Sequence, residues 1–292
     1  MKICSCLFLV YGVALLVSAA VASERESPPD TALTPIRDFD VEVLARLGRE
    51  IYQHDQLAWK ATDIVMAQIG RSRLEKDGAR GWIVDTSAKD ADLVRFLRKR
   101  GNELEVLCDV SFPRAGAPEL TVPTDRKLTD RQRLKAQALE TAKDHFLKGS
   151  LPWCGGNPNS VVSDDPSGKG FLVYLLRAKP SGMEVPIGGH YRFSVSADGQ
   201  QVDQVDRLFA SCLTLNKKDV PNGSKLEVLF TSHVISKTPL ETHVFLSLQE
   251  QLPFAVITPD SMIWYVDKGH MGVVGQMKDG KVEMRQMPDE KP

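Results

Sequence analysis

The sequence lacks an excess of charge of either sign, and it lacks a long apolar run beyond its first two dozen residues. It carries 37 basic and 38 acidic side chains among 292 residues. This balance argues against a strong, delocalised attraction to nucleic acid or anionic lipid. Because a membrane-spanning helix needs about 20 apolar residues, we expect no stable membrane insertion of the chain once its N-terminal segment is removed.

Recognisable catalytic motifs are also absent from the sequence. Phosphate-binding loops, dinucleotide fingerprints, zinc-protease helices and nucleophile elbows each need a fixed spacing of Gly, Lys, His or Ser, and none of these spacings occurs. Asp and Glu are plentiful, but no pair of them stands out as a general acid and base. The sequence therefore predicts a protein that is not an enzyme more readily than it predicts any one reaction.

The N-terminus has the three parts of a secretory signal. Lys2 gives a short positive start, residues 7–21 are mostly apolar, and Ala20-Val21-Ala22 supplies the small residues that signal peptidase requires. This pattern predicts a cleaved signal over 1–22 and a periplasmic or extracellular protein; an uncleaved anchor is the alternative. Residues 23–36 are rich in Ser, Glu and Pro, which is typical of a disordered entry segment.

Three cysteines remain after the predicted signal, and an oxidising compartment favours a disulfide between two of them. Cys108 lies on the apolar side of an alternating segment, where a free thiol behaves as a small hydrophobic residue. Cys154 lies in a Trp-Cys-Gly-Gly loop and Cys212 follows a strand-like segment. We therefore predict the disulfide Cys154–Cys212, with a nucleophilic Cys154 as the alternative.

Apolar spacing predicts a helix early in the chain. Leu44, Leu47 and Ile51 recur at i, i+3 and i+7, and the pattern allows a break around His54-Asp55. Trp59, on the same predicted helix, is interpreted as a core side chain.

A second helix and several strands are also signalled. Thr129 and Gln132 form a capping box at the start of a helix. Residues 104–112 alternate for nine positions and predict a strand that pairs with 94–96.

The order helix, strands, helix, strands predicts an α+β fold, mainly antiparallel sheet with two principal helices. The expected divisions are an α+β unit over 37–125, a second α+β unit over 126–275 and a flexible tail over 276–292.

One cluster of side chains has metal-ligand chemistry. If 226–235 and 241–248 form a hairpin, His233 pairs directly with His243, and Glu241 lies on the same face. Two imidazoles and a carboxylate make an open zinc site that can activate water for hydrolysis. A capping box at Thr238–Glu241 instead favours a helix over 239–250. We favour the strand because Thr, Val and Phe are strand formers.

Two further polar residues share a strand face. His190 and Arg192 alternate with apolar residues, and a guanidinium beside an imidazole can bind an anion. An exposed sheet face without a ligand is the simpler interpretation.

The preferred functional hypothesis is an exported, non-catalytic binding module for an envelope or secreted protein, or for a small envelope ligand, on an open sheet face or edge. An inhibitor of a secreted enzyme is one form of it. The alternative hypotheses are a metal-dependent hydrolase centred on His233, Glu241 and His243, and a structural component of the envelope.

Overall fold

A computed structural model of the chain describes residues 35–101, 103–219 and 225–285. The described residues form four helices and fifteen strands. The helices are α1 (Val41–Gln68), α2 (Arg71–Lys76), α3 (Asp130–Lys148) and α4 (Glu241–Glu250). The strands are β1 (Ala79–Asp85), β2 (Ala91–Arg100), β3 (Glu103–Pro113), β4 (Glu119–Thr121), β5 (Asn159–Asp164), β6 (Gly170–Leu176), β7 (Glu184–Pro186), β8 (Tyr191–Ser196), β9 (Val202–Arg207), β10 (Thr214–Asn216), β11 (Leu229–Ser232), β12 (Phe254–Ile257), β13 (Met262–Asp267), β14 (His270–Lys278) and β15 (Lys281–Met284).

These strands form three main sheets, in the orders β1-β2-β3-β4, β5-β6-β8-β9 and β11-β12-β13-β14-β15, while β7 and β10 form a separate pair. All neighbouring strands are antiparallel except β11 and β12. The predicted α+β class with mainly antiparallel sheet is confirmed. Among the described residues, no helix is both long enough and apolar enough to cross a membrane. The predicted signal over 1–22 and nearly all of the entry segment over 23–36 lie outside the described residues.

Each half of helix α1 packs into a different hydrophobic core. The predicted stripe of Leu44, Leu47 and Ile51 is fully buried in a core shared with α4 and the third sheet. The C-terminal half of α1 packs against the first sheet. The expected break at His54-Asp55 is wrong, because the helix continues through both residues and buries both side chains. The predicted units over 37–125 and 126–275 therefore share this helix, and their boundary stays a prediction.

The first two sheets contain the elements that the sequence signals best. The hairpin of β2 and β3 forms as predicted, and Cys108 is buried in it without a disulfide partner among the described residues. At the start of α3, the Thr129 hydroxyl accepts from the Gln132 amide N–H, and the Gln132 side-chain oxygen accepts from the Thr129 N–H. Both capping-box bonds are therefore present, and α3 packs against the second sheet.

The third sheet contains a parallel pair that the sequence analysis missed. β11 and β12 run parallel and are joined through α4, since parallel neighbours need a crossover. The predicted hairpin over 226–248 is therefore wrong, and 241–250 is helical. Val244, Phe245 and Leu246 are all buried. A helix that is buried on most sides lacks the amphipathic pattern by which a helix is recognised from sequence. Tertiary contacts there override the strand preference of the individual side chains.

The predicted flexible tail over 276–292 begins instead as regular structure. β14 extends to Lys278, and β15 pairs with it in an antiparallel ladder. Asp279 and Gly280 connect them with positive φ angles of 49° and 72°, the conformation that Asp-Gly favours in a two-residue hairpin. Residues 286–292 lie outside the described residues.

The predicted disulfide Cys154–Cys212 is confirmed, and it closes a loop with a sequence separation of 58 residues. Restricting the unfolded chain over such a loop stabilises the native state by about 4 kcal/mol in the chain-entropy model. We expect the double variant Cys154→Ser/Cys212→Ser to lose about that much free energy of unfolding in urea denaturation. Reductant should lower the midpoint of the unaltered protein and leave that of the double variant unchanged. An unaltered protein insensitive to reductant would contradict this prediction.

Candidate ligand-binding cleft

The two histidines of the predicted metal cluster do meet, but not across a hairpin. His233 follows β11 and His243 lies in the first turn of α4. Their ring centroids are 4.9 Å apart, with the ring planes at 89°. Both side chains are almost completely buried. Burial lowers the pKa of His233 to about 4 and the pKa of His243 well below its ordinary value. The pair is therefore neutral near pH 7.

Glu241, the predicted third ligand, is engaged elsewhere. Its Oε1 accepts hydrogen bonds from the Tyr174 hydroxyl at 3.1 Å and from Arg192 Nη1 at 2.7 Å. The part of the chain that the structure describes contains no group of three or more His, Cys, Asp or Glu side chains arranged to hold a metal. The zinc site predicted from His233, Glu241 and His243 is thus not assembled, because α4 turns the carboxylate toward the second sheet.

His190 and Arg192 do not lie on an exposed face, and that interpretation is wrong. Both are fully buried. Tyr174, the partner of Arg192 on the same sheet face, packs in one cluster with α1 and α4. The His190 Nε2–H donates to the Pro186 carbonyl at 2.7 Å, and its Nδ1 accepts from the Arg177 N–H at 3.1 Å. Arg192 is paired with two carboxylates, Asp206 and Glu241. Since its guanidinium is already neutralised, it offers no unpaired charge to an anion from solvent.

The other sites discussed from sequence are also located. Because the Cys154 sulfur is bonded to Cys212, it has no thiolate to act as a nucleophile while that bond is intact. The edge strand β11 carries the exposed side chain of Phe230, flanked by exposed Val228 and Val234. This apolar sheet edge resembles the open edge expected for a protein partner, as does β15 at the opposite edge of the same sheet, where Val282 and Met284 are exposed.

A cleft of about 800 Å³ opens beside the middle of α1. One wall is a single face of α1, because the lining residues recur at helical spacing, and Trp82 of β1 continues this wall. The second wall combines the start of β5, the loop after β6 and the C-terminal end of α4. A volume of this size is typical of small-ligand sites. The residues of the α1 wall are Tyr52, Asp55, Gln56, Ala58, Trp59 and Thr62; those of the second wall are Asn159, Ala178, Lys179, Ser181, Gly182, Gln249 and Gln251.

Trp59 is the most unusual side chain of the cleft. It is 58% exposed, so the interpretation of Trp59 as a core residue is wrong. The core stripe of α1 lies on the other side of the helix, and Trp59 falls outside it. Trp82 lies against Phe96, with ring centroids 6.1 Å apart. Its indole N–H is shielded from solvent and has no hydrogen-bond acceptor among the described residues.

Asp55 is the cleft's buried acid. Its side chain accepts a hydrogen bond from Asn159 Nδ2 at 3.2 Å. Burial raises the pKa of Asp55 to about 6, against the opposing effect of hydrogen bonds from Asn159 and Gln249. Near pH 6, Asp55 therefore exists as a mixture of carboxyl and carboxylate, and it can either donate or accept a hydrogen bond.

The cation of the cleft already has a partner. Lys179 Nζ lies 2.6 Å from Glu250 Oε1, and Lys217 Nζ lies 2.7 Å from Glu250 Oε2. Glu250 is completely buried at its side chain. The Lys179 charge is thus directed to an internal carboxylate, which holds the loop after β6 against the end of α4.

The cleft residues were missed because they come from distant parts of the chain. The signal that the sequence did contain is a second stripe on α1, in which Tyr52, Gln56 and Trp59 recur at i, i+4 and i+7, off the apolar stripe. No known family model, curated protein or solved structure matches the chain.

Proposed function

We propose that this protein is an exported, non-catalytic binding module that takes a small polar ligand in the Trp59 cleft. The observation that carries the proposal is the combination, within one cleft of about 800 Å³, of an exposed tryptophan and several side-chain amides. Ligand sites combine apolar or aromatic surface with a few well-placed polar groups in this way.

The composition of the cleft favours binding over catalysis. Among the described residues that line it, Asp55 is the only carboxyl group, and no His or Cys is present. General acid–base chemistry usually requires two groups with different roles, and Lys179, the cation across the cleft from Asp55, is already paired with Glu250. The amides of Asn159 and Gln249 bind this carboxyl and do not exchange protons with it.

The disulfide supports the exported part of the proposal. Disulfides form and persist in oxidising compartments such as the periplasm and the extracellular space. Cys154–Cys212 ties the loop before β5 to the segment after β9, so it is part of the fold's framework. A cleaved signal over 1–22 would deliver the chain to such a compartment.

The four tryptophans provide a test of ligand binding. Trp59 and Trp82 line the cleft, while Trp153 and Trp264 lie in other parts of the fold. We expect a library of small polar fragments, added to the ¹⁵N-labelled protein, to yield compounds that shift the indole N–H signals of Trp59 and Trp82 in NMR spectra. The signals of Trp153 and Trp264 should stay in place.

A matched pair of variants decides whether the shifts come from the cleft. Trp59→Ala should weaken the best fragment by about tenfold or more, as truncation of an aromatic anchor does. Leu147→Ala removes a similarly exposed side chain from α3 and should leave the affinity unchanged. Fragments that fail to move Trp59 and Trp82, or that bind equally well to Trp59→Ala, would contradict the proposal.

A further inference from the structure

We infer that the ligand of the Trp59 cleft is an uncharged saccharide of one or two rings. This inference rests on the proposed function and specifies its ligand class. It follows from three properties of the cleft: the aromatic surface it presents, the kind of hydrogen-bonding groups it contains, and the way its charges are already paired.

The first property is the aromatic surface. A sugar ring presents C–H groups on its faces and hydroxyl groups around its rim. Trp combines a large flat apolar surface with a single polar N–H, so it suits a ligand that is apolar in one direction and polar in another. Trp59 leaves most of its surface open, and Tyr52 and Trp82 line the same cleft.

The second property is the type of polar group. Gln56, Asn159, Gln249 and Gln251 line the cleft, and each carboxamide has both a donor and an acceptor. A ligand hydroxyl also donates and accepts, so it can use both ends of Gln56 and Gln251. Asn159 and Gln249 each donate one N–H to Asp55 and keep a second N–H and an acceptor oxygen. A carboxylate ligand would use only the donors and an ammonium ligand only the acceptors. A site with four side-chain amides therefore matches a polyhydroxylated ligand better than a carboxylate or an ammonium ligand.

The third property is the charge balance. Lys179 forms an ion pair with the buried Glu250, so it is already committed and is a poor partner for an anion. Asp55 is largely buried and bound by Asn159, so a cation would have to compete for a carboxyl that is costly to ionise there. A neutral ligand requires neither group to change its partner.

The test compares neutral and charged probes on the folded protein. The neutral probes are disaccharides built from glucose, galactose, mannose and N-acetylglucosamine; the charged probes are choline and citrate. We expect at least one disaccharide to shift the Trp59 and Trp82 indole signals saturably, and choline and citrate to have no such effect. Calorimetric titration of the best disaccharide then gives its dissociation constant.

Two variants of Trp59 test whether the ligand stacks on its ring. Trp59→Ala should weaken the disaccharide about tenfold or more, whereas Trp59→Phe should recover much of the loss because it restores an aromatic face. Leu147→Ala, on α3 and outside the cleft, should leave the affinity unchanged. Choline or citrate that shifts the Trp59 signal as strongly as the best disaccharide would overturn the inference.

The outcomes distinguish the ligand class from the function. If other polar fragments shift Trp59 while every disaccharide fails, the saccharide inference is wrong and the binding module stands. If neither disaccharides nor any fragment of the wider library shift Trp59 and Trp82, both proposals fail together.

Discussion

Acidification from pH 7 to pH 4 is expected to unfold this protein, because several buried histidines are held neutral in the native state. Burial lowers the pKa of His54, His190 and His233 to about 4, against about 6.5 for a histidine in an unfolded chain. Between these two values the unfolded chain binds protons that the native state does not. The free energy of unfolding therefore falls as the pH falls through this window.

The expected loss of the free energy of unfolding is large. Lowering the pKa from about 6.5 to about 4 removes about 3 kcal/mol of the free energy of unfolding for each histidine once the pH reaches 4. Two acids act in the opposite direction, since burial raises the pKa of Asp55 to about 6 and also raises the pKa of Glu50. As the pH falls, the native state binds protons at these acids before the unfolded state does, beginning near pH 6 for Asp55. The histidines outnumber them, so the net effect is a loss comparable to the whole stability of a typical domain.

Circular dichroism as a function of pH measures this loss. His54→Leu should shift the acid unfolding midpoint to lower pH, because it removes one of the proton-binding groups of the unfolded state. His270→Leu is the matched control, since His270 is exposed at the start of β14, and it should leave the midpoint unchanged. A protein that keeps its native spectrum at pH 4, or equal shifts in the two variants, would contradict this explanation.

Removal of the buried guanidinium of Arg192 is expected to have the second large effect. Arg192 is completely buried and donates to Asp206 Oδ2 at 2.9 Å and to Glu241 Oε1 at 2.7 Å. It also donates to the Arg37 carbonyl and lies 4.8 Å from the centre of the Phe39 ring. One side chain thus joins the second sheet, α4 and the segment that precedes α1.

Arg192→Met should lower the free energy of unfolding by about 3–5 kcal/mol, since it leaves two buried carboxylates without a counter-charge. Neutralising them in Arg192→Met/Asp206→Asn/Glu241→Gln should recover part of this loss. Arg73→Met is the control, because Arg73 forms an exposed ion pair with Asp77 and such pairs contribute about 1 kcal/mol or less. Urea denaturation that finds the two arginine variants equally stable would show that the buried network does not stabilise the fold.

The parts of the fold that could be predicted are those in which local chemistry and packing agree. The capping box at Thr129 and Gln132 and the alternation over 104–112 each identify an element without knowledge of its neighbours. Helix α4 shows where this fails. Its apolar residues are buried on most sides, so strand-forming composition outweighed the helix signal of the Thr238–Glu241 capping box and pointed to the wrong backbone. The parallel pairing of β11 with β12, which requires a crossover, depends on contacts that the sequence does not show.

The polar sites show the same limit. His233 and His243 were expected together and are together, but through a strand and a helix and without the third ligand Glu241. His190 and Arg192 alternate as an exposed strand face would, yet α1 and α4 cover that face. Alternation identifies which residues share a face; it does not reveal what packs on that face.

The central claim is that the cleft beside Trp59 receives a small ligand. Its most direct test is a crystal structure of the protein soaked with the compound that shifts the Trp59 indole signal most strongly. We predict density for that compound between the α1 wall and the second wall, in contact with the Trp59 ring and at least one cleft amide. Density for the compound at another place on the protein, with an empty cleft and Trp59 packed against the protein's own side chains, would contradict the account.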